Sequence, residues 1–74
     1  MTESTDGNVT AEINGRQRAF RSGMTIGDLL EDLGLRPLQV VVERNGEPLE
    51  REKFAQTVMA NGDRIEIAHM VGGG

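Results

Sequence analysis

The stretch MTIGDLLEDLGLRP, residues 24–37, decides the fold. After Thr25, the residues Ile26, Leu29, Leu30 and Leu33 fall at i, i+3, i+4 and i+7, which is the single apolar stripe of a helix. Thr25 can cap that helix; Asp28, three residues on, completes a weaker form of the capping box and puts negative charge at the positive end of the helix dipole. Gly34 suits the left-handed residue that closes a helix, Leu35 can fold back onto the stripe, and Pro37 prevents continuation. The spacing predicts a short helix of two to three turns with one face to bury. Such a helix needs a sheet to lie on.

Both flanks supply strands. Residues 1–8 form a polar leader with nothing to bury, expected to be mobile. Val9, Ala11 and Ile13 then alternate with Thr10 and Glu12 up to Asn14-Gly15, a strong hairpin signal because both turn positions tolerate positive φ. The returning strand, residues 16–21, puts Arg16 and Arg18 on the face of Ala11 and Val9. That suits a strand at the sheet margin anchored by Phe20. Beyond the helix, the valine run predicts a strand with Val40 and Val42 facing the core and Val41 and Glu43 facing away, followed by a turn at Asn45-Gly46. Residues 50–60 read as an irregular connection pinned by Phe54, Val58 and Met59. After a turn at Asn61-Gly62-Asp63, the last strand, residues 64–71, alternates Ile65 and Ile67 with Glu66 and Ala68 and runs into Gly72, Gly73 and Gly74.

The element order is strand, strand, helix, strand, strand. With short connections and right-handed crossovers, the first and last strands become central, parallel neighbours. This is an α+β, β-grasp (ubiquitin-like) arrangement, a mixed sheet with one helix packed on one face, spanning residues 9–71. The second face stays open, with Val41, Ala68 and Met70 turned outward as a contact surface.

Composition excludes several trades. A chain of 74 residues makes one domain with a thin core. Phe20 and Phe54 are its only aromatics, so base stacking is excluded as a mode of binding, and a net charge of -4 opposes phosphate contact; no nucleic acid is expected. A partner's contact surface is expected to be basic. No apolar run reaches the roughly 20 residues that span a bilayer, and the N-terminal residues lack the charge and apolar stretch of a signal peptide, so no membrane and a cytoplasmic setting are expected.

Side-chain catalysis is not expected. There is no cysteine, and the one histidine, His69, has no companion ligand for a metal; strand parity puts it beside Ile65 and Ile67 as a partly buried structural residue. Ser4 and Ser22 sit in no nucleophile elbow, and Glu31-Asp32 or Glu50 with Glu52 read as solvated faces. The sequence therefore reads as a non-enzyme with no cofactor. What remains is the main-chain carboxylate of Gly74. It is ionised near neutral pH, with an ordinary α-carboxyl pKa of ~3.5, and needs activation by an outside enzyme, most simply as an acyl-adenylate. Glycine has no Cβ and lets a tail thread a narrow tunnel. The four residues beyond Met70 reach at most roughly 13 to 14 Å. A terminal Gly-Gly-Gly is by itself a weak signal; it gains weight from the rigid central strand expected before it.

The segments INGR, TIGDLLEDLGL, VVVERNGEPLEREKF and NGDRIEIAHMVGGG resemble the ThiS family, the sulfur carrier proteins of thiamine biosynthesis, over residues 9–74. The longer leader and the extra Gly72 depart from the usual pattern without touching the chemistry. The resemblance implies that a ubiquitin-activating-like, ThiF-type enzyme adenylates Gly74. Sulfur from a cysteine desulfurase pathway then yields a thiocarboxylate, and a ThiG-type thiazole synthase accepts it. Gly72 and Gly73 would be the flexible neck, and Val41, Ala68, Met70 and Val71 the partner contacts. Two alternatives stay open: a sulfur carrier of another pathway, such as a molybdopterin synthase small subunit, and a ubiquitin-like binding or modifier module without sulfur.

Overall fold

The computed structural model describes residues 7–70. The leader up to residue 6 and the segment from Val71 through Gly72, Gly73 and Gly74 lie outside the described residues. The elements are β1 (Asn8–Ile13), β2 (Arg16–Arg21), α1 (Ile26–Asp32), β3 (Val40–Arg44), β4 (Glu47–Leu49) and β5 (Arg64–His69), with short 3-10 turns at Pro37–Gln39 and Arg51–Gln56. They form one mixed sheet in the order β2-β1-β5-β3-β4. β1 and β5 are its parallel central pair, and β2 lies at one margin, both as expected.

The local signals act as written. Thr25 caps α1: its Oγ1 accepts from the Asp28 N–H at 3.0 Å, and the Asp28 carboxylate accepts from the Thr25 N–H at 3.0 Å. Ile26, Leu29 and Leu30 are fully buried against the sheet, together with Ala11, Ile13, Val40, Val42 and Ile65. Gly34 stops the helix at φ 75°, where a side chain is strained. Both hairpin asparagines take left-handed conformations followed by a left-handed glycine, Asn14 at 50° and Asn45 at 55°, the primed turn that matches the twist of the strands. Arg16 and Arg18 stand opposite Ile13 and Ala11 but remain exposed at the margin, where the Arg18 guanidinium lies 5.5 Å from the Phe20 ring centre.

Three expectations need correction. The sheet has five strands, because the Asn45-Gly46 turn returns the chain as β4, pairing Val42, Glu43 and Arg44 with Leu49, Pro48 and Glu47. Pro48 is tolerated there because β4 is the outermost strand. The connection after it is partly regular: Arg51–Gln56 is a 3-10 turn that buries Phe54, and Met59 is buried, but Val58 is half exposed. The backbone explains Val58. It forms an isolated antiparallel bridge with Thr25, flanked by hydrogen bonds from Ile26 to Thr57 and from Met59 to Met24, and in this extended stretch alternate side chains point outward. Finally, His69 is exposed, because β1 ends at Ile13 and leaves His69 with a strand neighbour on the β3 side alone.

The start of β5 is fixed by Asp63, a carboxylate that is 5% exposed. It accepts from the Ala60 N–H at 2.8 Å, the Arg44 Nε at 3.0 Å and the Asn45 Nδ2 at 3.1 Å. Burial pushes its pKa up, but the Ala60, Asn45 and Arg44 donors and the Arg44 charge outweigh this and hold it below the ordinary value. The charged form is therefore favoured by folding. Its stabilisation is present above the unfolded carboxyl pKa of ~3.9 and disappears as pH falls through the lower folded value. Asp63→Asn is expected to lower stability near neutral pH by about 1.5–3 kcal/mol, the range for hydrogen bonds to a charged group, and to flatten the acid side of the stability profile; urea denaturation across pH measures both.

Candidate functional site

The sheet has a covered face and an open face, and period-2 alternation decides which side chains reach the open one. On β3 these are Val41 and Glu43; on β5 they are Arg64, Glu66 and Ala68, with Met70 next in line. Val41 stands directly opposite Ala68, and the Met70 N–H donates to the Gln39 carbonyl at 2.8 Å, which keeps Met70 in register one step beyond the strand. Val41 and Met70 are 53% and 52% exposed, and Ala68 is exposed as well. Three of the four contact residues named from sequence are thus brought to one end of one face. Val71, the fourth, and Gly72, Gly73 and Gly74 lie outside the described residues.

Two residues that sequence reasoning did not assign belong to the same surface. Glu43 and Glu66 are cross-strand partners immediately beside Val41 and Ala68, and like charges directly opposite destabilise a sheet. Among the described residues neither makes a salt bridge. Their place was legible from strand parity, once the valine run and the last strand were paired. Asn14 borders the same shallow groove, lined by Asn14, Val41, Glu43, Glu66, Ile67 and Ala68. A groove open on one side and floored by small and charged side chains suits contact with a macromolecule better than enclosure of a small ligand.

A larger concavity of about 570 Å³ lies elsewhere, between the end of β2 and the start of α1, lined by residues 19–24, Asp28 and Asp32. His69 lies at the opposite end of the sheet from its Ser22, and Asp28 is committed to capping Thr25. Among the described residues no group of three or more His, Asp or Glu side chains converges to hold a metal ion, and no helix is long and apolar enough to cross a membrane.

A mixed sheet with parallel central first and last strands, a single α-helix gripped on one face and a second face left open defines a ubiquitin-like β-grasp domain. Comparison with known proteins narrows the class. The ThiS family model matches residues 9–74, and the chain belongs to the ThiS family. It is similar to the crystal structure of a thiamine biosynthesis protein (ThiS) from Geobacter metallireducens, 33% identical with a TM-score of 0.76 over 89% of this chain and 100% of that one. It is 38% identical to the sulfur carrier protein ThiS of Bacillus subtilis over 85% of this chain and 97% of that protein. It is also 42% identical to part of a thiazole synthase of Paramagnetospirillum magneticum, covering 84% of this chain but spanning only 19% of that enzyme's length.

If the open face is built for contact, its apolar side chains contribute little to folding. Val41→Thr and Met70→Ser are each expected to change stability by less than about 0.5 kcal/mol. Leu30→Ala, in the buried stripe, is expected to cost about 2–5 kcal/mol. Chemical denaturation of the three variants checks the contrast.

Proposed function

We propose that this protein is a sulfur carrier for thiamine biosynthesis, with Gly74 as the residue that bears the sulfur. The observation that carries the reading is the near end-to-end match to the sulfur carrier protein ThiS of Bacillus subtilis. The family match runs through Gly74, and in the fold the strand that leads to it is central, bonded on both sides.

The chemistry follows from the carboxylate. Ionised, it is a poor electrophile. A ThiF-type activating enzyme joins it to the α-phosphate of ATP with loss of pyrophosphate, giving an acyl-adenylate. The terminal sulfur of a persulfide, drawn from a cysteine desulfurase, attacks the acyl carbon and expels AMP; a thiol then cleaves the sulfur–sulfur bond and releases the thiocarboxylate. A ThiG-type thiazole synthase takes the sulfur and returns the carboxylate. The protein is a co-substrate, consumed and regenerated, and the catalytic groups belong to its cytoplasmic partners. A domain like this one forming part of a thiazole synthase chain supports that pairing.

Val41, Ala68 and Met70, with Val71 beyond them, form the docking surface in this reading, and Gly72 and Gly73 the neck that enters the partner's site. The Glu43–Glu66 pair asks for a basic counterpart, since an arginine or lysine from the partner relieves a repulsion that the free domain carries.

Incubation with ATP, the activating enzyme and a sulfur source from the same cell is expected to add about 16 Da, one oxygen replaced by sulfur. Deleting Gly74 is expected to abolish the shift and leave the melting temperature unchanged. Intact-mass measurement decides: an unmodified wild-type protein, or sulfur uptake by the truncated one, overturns the assignment.

A further inference from the structure

The two strands at the centre of the sheet differ in reach. β1 pairs with β5 through Glu12–Arg64 and Ile13–Ile65 and then turns away at Asn14, whereas β5 continues to His69. On β5, Glu66, Ala68 and Met70 direct their main-chain groups toward β3, as the Met70 to Gln39 bond fixes by alternation. Ile65, Ile67 and His69 direct theirs toward β1. The Ile65 carbonyl is satisfied there by the Asn14 N–H at 2.9 Å. Ile67 faces the place where β1 has already left.

Asn14 fills that place with its side chain. Its Oδ1 accepts from the Ile67 N–H at 2.8 Å, and its Nδ2 donates to the Ile67 carbonyl at 3.2 Å. The carboxamide thus supplies both the acceptor and the donor that a continuing β1 would have offered from two successive inward-facing residues, and the parallel ladder is prolonged by one step. The φ of 50° at Asn14 lets the backbone turn into the hairpin while the side chain points along the ladder. Past it, no described residue pairs with His69 on that side. Ile67 is therefore the last point at which β5 is held from both edges.

We infer that Asn14 is a positioning residue that sets the direction in which β5 leaves the sheet toward the C-terminal glycines. It also borders the groove formed with Val41 and Ala68, so the same side chain ties the docking surface to the root of the tail. Its carboxamide is already engaged with Ile67, so it acts through Ile67 and not by reaching a partner itself. Its effect on sulfur loading rests on the carrier reading; its effect on β5 does not.

Asn14→Gly separates turn from clamp, because glycine accepts the positive φ and keeps the hairpin while removing only the carboxamide. In the full-length variant, amide exchange followed by NMR is expected to quicken about tenfold or more at Ile67 and at Ala68 and Met70, which bond toward β3, with Ile65 and Val42 unchanged. Sulfur loading by the activating enzyme is expected to show KM raised by about three- to tenfold at constant kcat, the signature of a β5 end less well preorganised for docking. Unchanged exchange at Ile67 overturns the clamp. Faster exchange confined to Ile67, with KM unaltered, reduces it to a local bond and overturns the positioning role. If the wild-type protein takes up no sulfur, the carrier reading falls, and the exchange rates at Ala68 and Met70 alone decide the positioning of β5.

Discussion

The structure depends on how β5 is held. Its parallel pairing with β1 registers only two residues, and its antiparallel pairing with β3 registers five. Parallel pairing cannot be seeded by a tight turn; it needs a long crossover whose closure entropy is met only when the buried side chains are in place. The fully buried Ile65 is the point where that happens. It lies in the core cluster with Ile26, Leu29 and Leu30 of the helix stripe. The helix therefore covers the sheet and also holds in register the two strands that pair across the greatest sequence separation.

The asparagines of the two hairpins serve twice. Each supplies the left-handed residue of a primed turn, and each spends its side chain on β5. Asn45 accepts from the Arg64 N–H at 2.8 Å and donates to Asp63, fastening the start of the strand from the β3 side. Asn14 fastens Ile67 from the β1 side. A glycine would form either turn with less strain, so positive φ alone does not select asparagine; the hydrogen bonds to β5 do. The buried Asp63 completes the scheme, since its three donors and the Arg44 charge offset what an unpaired carboxylate at that depth would cost.

The sequence was informative where the cause was local. Thr25 with Asp28, Gly34, the two Asn-Gly turns and the alternation of Val40, Val41 and Val42 each follow from neighbours within a few residues, and each took the expected form. The parallel centre followed from element order and chain connectivity. What escaped was non-local. β4 is three residues long and contains a proline, so no periodicity announces it; only its pairing with β3 makes it a strand. Val58 faces out because its backbone bridges to Thr25, thirty-three positions earlier. The exposure of His69 reflects the offset between β1 and β5, which are equal in length but overlap at two positions only. Of the site, Val41, Ala68 and Met70 were readable from parity, whereas Asn14 acquired its second role only through a register between residues 53 positions apart.

Core and open face are separated by the thickness of a single sheet. Because side chains alternate, Val42 and Ile65 face the helix while Val41 and Glu66, their immediate neighbours in sequence, face solvent. A small domain has little stability to spare, and this division leaves the outward residues free to vary without disturbing the residues that fold the chain. The opposed Glu43 and Glu66 illustrate it. Their repulsion is tolerable on a strand pair already secured by Val42 and Ile65 beneath, and the same two charges on the covered face would prevent folding. A rigid inner face thus permits an outer face that is suboptimal for stability, which is the condition a docking surface requires.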